Sequence, residues 1–339
     1  MTKTVLITGI SGFIAKHCAV ELLEAGYRVR GTVRDLSKAE TVRATLTAYA
    51  DADRLDFAEA DLLADDGWGA AMQGVDGVLH LASPFPLAQP SDPDKLVRPA
   101  VEGTRRVFGA ARRASVGRLV QTSSVAAILA GHPREREAPY TEADWTIVDG
   151  PGVTAYERSK TLAEREGRAI AAEAGPSFHY STVNPGFVLG PALDADVGAS
   201  ADLVLMMLRG KYPGMPRMSF PVVDVRDVAK AHRLALETSQ PSGGRYLVAS
   251  EPARMIDIAR ALRAGLGQEA RKVPNRELPD FLVKIVALFD PAARSSVPKL
   301  GLHARFDNSQ TREALGMDFI PLSESAPAMA RSLIALGRV

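Results

Sequence analysis

Short apolar runs alternate with longer amphipathic stretches over the first half of the chain. The stretches between the runs have helical periodicity: Ile14, Cys18 and Leu22 recur every four residues, and Gly26 then ends the first helix. Strands that alternate with helices of this length predict right-handed βαβ units and a parallel sheet covered on both faces. The runs predicted as strands lie at residues 4–8, 27–33, 55–58, 77–81, 118–122 and 180–183.

The rhythm changes after residue 183, where Gly and Pro become dense. Helical patterns then dominate at 255–266, 278–289 and 323–336, and the strand-like run 245–250 is expected to return to the sheet. We therefore expect an α/β protein with a Rossmann-type, doubly wound parallel sheet. Residues 1–183 would form this domain, with 219–250 returning to it, and residues 184–339 would form a smaller, mainly helical lobe.

Composition narrows the possible functions. The formal net charge of +1, with acids and bases interspersed, gives no case for binding nucleic acid or a membrane surface. The only cysteine, Cys18, excludes an internal disulfide framework and fits a reducing compartment. The sequence contains neither a signal-peptide pattern nor a long apolar span, so a cytoplasmic location is expected. The scattered histidines predict no metal site.

The first strand runs directly into TGISGFIA, which predicts a dinucleotide-binding turn. Gly9 would allow the sharp turn from strand to helix, Gly12 would let the backbone approach a pyrophosphate, and Ala15 would let helix and strand pack closely. The helix N-terminus then offers unpaired N–H groups to the anion. The alternative is a tight turn without a ligand. Cofactor contacts are expected from Gly9, Ser11, Gly12, Phe13 and Ile14.

The end of the second strand indicates which dinucleotide is used. Arg34 lies just past the strand and Lys38 about one turn later, and two cations suit the 2′-phosphate of NADP(H). Asp35 leaves the alternative open, because a shift of one residue would present an acid to the 2′-hydroxyl of NAD. A solvated pair of cations in a loop is the other interpretation.

Four motifs in this order resemble the extended short-chain dehydrogenases/reductases, and more narrowly the dihydroflavonol-reductase-like aldehyde and ketone reductases. They are TGISGFIA, TSS at 122–124, YERSK at 156–160 and NPG at 184–186. The resemblance covers nearly the whole chain and is weakest beyond about residue 255. It implies reduction of a carbonyl group by NADPH and a small-molecule substrate.

The resemblance implies a catalytic set of Ser124, Tyr156 and Lys160. Tyr156 and Lys160 lie one helical turn apart on one face. A phenol that donates a proton near neutrality needs its pKa lowered by about 3 units, or about 4 kcal/mol, and a neighbouring ammonium favours this. Ser124 would hold the substrate oxygen. Ser123 is the adjacent alternative. Strand alternation aims the two hydroxyls to opposite faces, and the family pattern favours Ser124.

Further cofactor contacts follow from the resemblance alone. Asp61 would meet the adenine amino group, or else cap a helix. His80 lies in an apolar strand and is interpreted as a core histidine. Asp224, Arg226 and Asp227 are interpreted as a structural ion-pair network. The remaining expected contacts are Leu62, Ala82, Ser83, Thr122, Pro185, Gly186 and Val188, besides Tyr156 and Lys160.

The substrate pocket departs from the plant relatives in two places. Leu129 stands where dihydroflavonol reductases carry an Asn that contacts flavonoid hydroxyls, and GVTAYERSK lacks the Trp/Tyr/Cys-rich stretch of cinnamoyl-CoA reductases. These departures argue against flavonoids and CoA thioesters as substrates. Methionines at 200–220 are either core or an adaptable apolar pocket wall. The pocket residues expected are Pro84, Phe85, Ser124, Leu129, Phe187 and Met206, with Leu205, Met215 and Met218 nearby.

Two other functions compete with carbonyl reduction. A sugar-nucleotide epimerase or dehydratase would share the fold, but TSSVAA lacks the acid that dehydratases place near the serine. A non-catalytic NADP(H)-sensing protein would usually lose Tyr156 or Lys160, and both are present. The apolar faces of the helices at 95–115 and 154–172 fit either a homodimer interface or burial beneath the other lobe.

Overall fold

The computed structural model describes residues 2–83, 92–133, 136–289, 294, 297–303 and 305–339. Its strands are β1 (Thr4–Thr8), β2 (Arg28–Val33), β3 (Leu55–Glu59), β4 (Gly77–His80), β5 (Arg118–Thr122), β6 (His179–Pro185), β7 (Phe187–Leu189), β8 (Ser219–Asp224), β9 (Gly244–Val248) and β10 (Glu251–Arg254). Its helices are α1 (Phe13–Glu24), α2 (Ala39–Thr47), α3 (Trp68–Ala71), α4 (Asp94–Arg113), α5 (Ala155–Ala174), α6 (Ala199–Leu208), α7 (Val225–Glu237), α8 (Met255–Leu266), α9 (Asp280–Val286), α10 (Ser309–Leu315) and α11 (Leu322–Ala335).

The central sheet is parallel throughout, in the order β3-β2-β1-β4-β5-β6-β9. Alternate strand residues enter two different cores: Val5 and Ile7 pack with α1, α2 and α7, while Leu6 packs with α3, α4 and α5. The strand order reverses between β1 and β4, and in such sheets ligands bind beyond the carboxyl ends of the strands at that point. The predicted Rossmann-type fold is confirmed.

The second lobe contains a sheet that the sequence pattern did not indicate. β10, β8 and β7 form a three-stranded sheet that packs with α6, α8 and α11 around a separate core. The expectation of a mainly helical lobe was therefore incomplete. β7 and β10 are only three and four residues long, and Pro221 and Pro252 interrupt the strand pattern in β8 and β10.

The segment 219–250 is divided between the two lobes. β8 belongs to the smaller sheet, whereas α7 packs on α1 and β9 pairs with β6 in the central sheet. Only the later part of the segment thus returns to the central sheet. The division of the chain at residue 183 stays a prediction, and β6 continues to Pro185.

The apolar face of α4 is covered within the chain. Leu96, Ala100, Val107 and Ala111 are all buried, and α4 packs against α5. A second copy of the chain is therefore not needed to account for this pattern, and the homodimer stays a prediction. None of the described helices is long and apolar enough to span a bilayer.

Candidate active site

The start of α5 sets the position of Tyr156 and Lys160. Thr154 and Glu157 form a reciprocal capping box: the Glu157 N–H donates to Thr154 Oγ1 at 3.3 Å, and the Thr154 N–H donates to Glu157 Oε2 at 2.7 Å. Lys299 adds an ion pair to Glu157 at 3.3 Å. Because the helix begins at Ala155, Tyr156 lies in its first turn and Lys160 one turn later on the same face.

The structure brings Ser124 to Tyr156. Their side-chain hydroxyls are hydrogen-bonded to each other, and Ser124 is 9% exposed. The Ala126 N–H donates to Ser124 Oγ at 3.1 Å, which leaves the Ser124 proton free to point toward another oxygen. Ser123 faces the opposite way and donates to Glu164 Oε2 at 2.5 Å. Of the two serines considered from the sequence, only Ser124 therefore lies beside the phenol.

Lys160 is buried behind the Tyr156 ring. Its Nζ lies 6.0 Å from the ring centroid and 3.5 Å from the Thr122 carbonyl oxygen, and the residue is 8% exposed. Burial lowers the pKa of Lys160 to about 8, and the Glu164 carboxylate opposes this. The ammonium form therefore still predominates at pH 7.

The pKa of Tyr156 does not follow the expectation from the sequence. Burial is the largest influence and raises the pKa of Tyr156, while the hydrogen bond from Ser124 acts in the opposite direction. The protein groups alone thus keep the phenol protonated near neutrality. This is the form that a proton donor needs at the start of a reduction.

Histidines beside this site are neutral core groups, as expected for His80. His80 Nδ1 lies 2.9 Å from Thr8 Oγ1, and burial lowers the pKa of His80 to about 3. The Thr122 hydroxyl lies 2.6 Å from His232 Nε2, and His232 Nδ1 donates to the Val228 carbonyl. Because the Val228 carbonyl only accepts, Nδ1 carries the proton of the neutral His232 ring and Nε2 is the acceptor. The Thr122 hydroxyl therefore donates to Nε2. The Thr122 hydroxyl is thus engaged by His232, and only the Thr122 carbonyl contacts Lys160.

The glycine-rich turn has the geometry expected for an anion at a helix start. Gly9 has a φ of +66°, and a Cβ there would lie 3.1 Å from that of Ala82. Gly12 is exposed and precedes α1, whose first-turn N–H groups have no partner within a helix. The half-buried Phe13 side chain packs against the second lobe and that of Ile14 against the first core, while their backbone lies in the first turn of α1.

The cations past β2 are exposed, and Asp35, which lies between them in the sequence, caps the short turn that follows. Arg34 and Lys38 are both exposed to solvent. Asp35 accepts a hydrogen bond from the Ser37 N–H at 2.8 Å and caps the short turn Leu36–Lys38, and this bond lowers the pKa of Asp35. The carboxylate is therefore occupied in its own turn.

The contacts predicted after β3 and β4 are arranged as follows. Asp61 Oδ1 accepts the Leu63 N–H at 2.9 Å and caps a turn rather than a helix, and its contact with adenine stays a prediction. Leu62 packs beneath α4 at Gly103. The Ala82 N–H donates to Thr8 Oγ1 at 2.9 Å, and Ser83 is half-buried beside it.

Gly186 is the point at which the chain leaves one sheet for the other. Pro185 ends β6 beside Val248, and β7 then pairs with β8. The Gly186 N–H donates to the Val248 carbonyl at 3.0 Å and is thus not free for a nicotinamide carboxamide, which corrects part of the prediction. Val188 packs on the first core.

The predicted pocket wall is only partly assembled by the structure. Leu129 packs with Ile128 in a small cluster, and Phe187 stacks on Phe220 with ring centroids 5.0 Å apart. Met206 is 39% exposed. Its neighbours Leu205, Met215 and Met218 are buried in the second core, as in the core alternative. Pro84 and Phe85 lie outside the described residues.

Two surface cavities lie elsewhere. One of about 410 Å³ is lined by Asp227 and Phe319, and one of about 660 Å³ by Arg30 and Phe57. Neither is lined by Ser124, Tyr156 or Lys160. Among the described residues no cluster of His, Cys, Asp and Glu has the arrangement of a metal site.

Sequence reasoning missed the charged group directly behind this site. Glu164 is fully buried and pairs with Arg245, Nε to Oε1, at 2.7 Å. It also accepts hydrogen bonds from Ser123 and from Asn184, the latter at 2.8 Å. One signal was available: Glu164 lies four residues beyond Lys160, on the same face of the helix.

Comparisons with known proteins agree with this geometry. The family model described as NAD dependent epimerase/dehydratase family matches residues 5–249, and the chain belongs to that family, the extended short-chain dehydrogenases/reductases. The chain is 33% identical to ketoreductase azaE of Aspergillus niger, over 95% of each chain. It is also 33% identical to cinnamoyl-CoA reductase 1 of Arabidopsis thaliana, over 99% of this chain and 91% of that one.

A similar solved structure is yeast methylglyoxal/isovaleraldehyde reductase Gre2 complexed with NADPH. Its TM-score is 0.81 at 26% identity, over 99% of this chain and 100% of that one. The predicted family is thus confirmed, and so is a nicotinamide cofactor. At the level of enzyme class, the relatives support an NAD(P)-dependent oxidoreductase.

Proposed function

We propose that the protein reduces an aldehyde or ketone to the alcohol, with NADPH as the reductant and Tyr156 as the proton donor. The observation that carries the proposal is the grouping of the Ser124 and Tyr156 hydroxyls in front of the buried Lys160 ammonium. The relatives named above, a ketoreductase and an aldehyde reductase complexed with NADPH, support the same chemistry.

The residues fit the pyrophosphate and the adenosine 2′-phosphate of the cofactor. The exposed Gly12 backbone and the first turn of α1 suit the pyrophosphate, and Arg34 and Lys38 suit a 2′-phosphate. Asp35 caps its own turn, which favours NADPH over NAD because its carboxylate is then not directed at a ribose hydroxyl. When bound, the cofactor supplies the hydride.

The side chains then perform the remaining steps. Ser124 donates a hydrogen bond to the substrate oxygen and holds it beside the Tyr156 hydroxyl. As negative charge develops on that oxygen, Tyr156 transfers its proton to it. The Lys160 ammonium stabilises the phenolate that remains, and it also suits the ribose hydroxyls of the nicotinamide.

The pocket contributes an apolar wall rather than a pattern of polar contacts. Phe187, which is expected in this wall, stacks on Phe220, and Leu129 can neither donate nor accept a hydrogen bond. We therefore expect aryl or alkyl aldehydes and ketones, rather than polyhydroxylated flavonoids, as substrates.

A screen of NADPH oxidation over aromatic aldehydes, α-diketones, β-ketoesters and steroids tests the proposal, with each reaction repeated with NADH. We expect turnover of at least one class with NADPH, and loss of that turnover in Tyr156→Phe while NADPH affinity is retained. NADPH binding without turnover across the panel would instead favour a cofactor-sensing protein. Turnover retained by Tyr156→Phe would refute the role of the tyrosine.

A further inference from the structure

A buried polar cluster lies behind the serine of the proposed catalytic set. Its central members are Ser123, Glu164, Asn184 and Arg245, and Thr182 and Arg168 add longer contacts to Glu164 at 3.3 and 3.4 Å. Glu164 is fully buried and Arg245 is 6% exposed, so neither charge is compensated by solvent. Removing a carboxylate from water in this way is costly unless every oxygen is satisfied. The stability of α5 alone does not require a buried carboxylate at this position.

The cluster holds the backbone on both sides of Ser124. Before it, the Ser123 hydroxyl donates to Glu164 at 2.5 Å. At Ser124 itself, the carbonyl accepts the Asn184 side-chain amide at 3.2 Å, and the same amide donates to Glu164. After it, the Ala127 carbonyl accepts from Arg245 at 3.0 Å. The turn that carries Ser124 is thus tied at three successive points.

Glu164 is the acceptor on which these ties converge. Donors reach it from the end of β5, from β6 and from β9, while its own helix carries Tyr156 and Lys160 in the preceding two turns. The Asn184 amide cannot be reversed, because the carbonyl and the carboxylate that it contacts only accept. The carboxylate therefore couples the helix of Tyr156 to the turn of Ser124.

We infer that Glu164, with Arg245 and Asn184, is a positioning residue that fixes the Ser124 hydroxyl against Tyr156. The inference rests on the proposed function, since the distance between these hydroxyls matters for turnover only if both act on the substrate oxygen. Small displacements have large effects in such an arrangement, because misplacing a reacting group by about 1 Å costs about 10²-fold in rate.

The test compares two identical substitutions on the same helix. Glu164→Gln keeps the size of the side chain but presents N–H donors to Asn184 and Arg245, which are themselves donors. Glu166→Gln is the matched control, because Glu166 pairs with Arg105 at the surface of the same helix. Ser123→Ala removes only the first tie and serves as a second variant in case Glu164→Gln does not fold.

The first readout is kinetic. We expect kcat of Glu164→Gln to fall about 10²-fold and that of Ser123→Ala about tenfold, with NADPH affinity within about threefold of the wild type. Glu166→Gln should match the wild type. A folded Glu164→Gln or Ser123→Ala protein with wild-type kcat would overturn the inference, because a merely structural cluster would affect only the melting temperature.

The second readout needs no substrate. The ¹³Cζ resonance of labelled Tyr156, assigned by its loss in Tyr156→Phe, reports the hydrogen bond of the phenol. We expect Glu164→Gln and Ser123→Ala to shift this resonance in the same direction as Ser124→Ala, and Glu166→Gln to leave it unchanged. An unshifted resonance in both cluster variants would overturn the inference. Because this spectrum is recorded without turnover, it decides the matter even if no carbonyl is reduced.

Discussion

Replacing Gly186 with alanine tests where the chain crosses between its two sheets. A Cβ at this position would lie 2.1 Å from the Pro221 carbonyl oxygen and 2.9 Å from its carbonyl carbon. Both atoms are backbone of β8, which is held by β7 and β10 on its two sides. Unlike a flexible side chain, they cannot rotate away, so one of the two sheets must shift.

The expected magnitude follows from this clash. Overpacking a well-packed interior typically costs about 1–3 kcal/mol, and we expect the upper end or more at a backbone contact. With about 2.1 cal/mol/K of unfolding entropy per residue, 3 kcal/mol over 339 residues lowers the Tm by about 4 °C. The measurement is a thermal melt followed by circular dichroism, recorded without cofactor.

A matched glycine serves as the control. Gly69 lies exposed in α3, and a Cβ at that position would meet open space, so Gly69→Ala should leave the Tm unchanged or raise it slightly. If Gly186→Ala instead melted like the wild type without cofactor and lost only NADPH affinity, the steric requirement for glycine at the crossing would be refuted. Gly186 would then be a cofactor contact, as the family resemblance first implied.

Two further predictions concern the cofactor and the pH dependence. Removing both cations in Arg34→Ala/Lys38→Ala should raise the Kd for NADPH about 10- to 100-fold and leave the Kd for NADH nearly unchanged, as measured by fluorescence titration. Lys211→Ala, which removes another exposed cation, is the control. Equal losses of affinity for both cofactors would contradict this prediction. Because Lys160 acts in its charged form and burial lowers its pKa to about 8, kcat/KM should fall about tenfold between pH 7 and pH 9. Lys160→Arg should move that fall to higher pH, and a wild-type profile that stays flat from pH 7 to pH 9 would contradict this role for the ammonium.

The order of strands and helices followed from the sequence because each local pattern agreed with its environment. The runs at 4–8 and 118–122 match β1 and β5 in both bounds, and the helix at 255–266 matches α8. The small sheet was missed because β7 and β10 are short and β8 and β10 contain proline, so that only pairing with distant segments makes them strands.

The proposed site was partly visible for the same reason. Ser124, Tyr156 and Lys160 lie in motifs whose spacing is local; alternation set the hydroxyls of Ser123 and Ser124 on opposite faces, and the family pattern favoured Ser124. Glu164 and Arg245 are 81 positions apart in the chain, and nothing in the sequence pairs them. The Gly186 N–H could not be assigned either, since its partner Val248 becomes a neighbour only when β9 joins the sheet.

A single-turnover experiment tests the central claim most directly. Protein preloaded with NADPH is mixed with the best carbonyl substrate, and the loss of reduced-nicotinamide absorbance is followed in the wild type and in Tyr156→Phe. The account predicts a rate constant lower by about 10²- to 10⁴-fold in the variant, with the same NADPH affinity, because only the proton donor has been removed. A variant that oxidises NADPH within about threefold of the wild-type rate would contradict it, since general acid catalysis contributes far more than that.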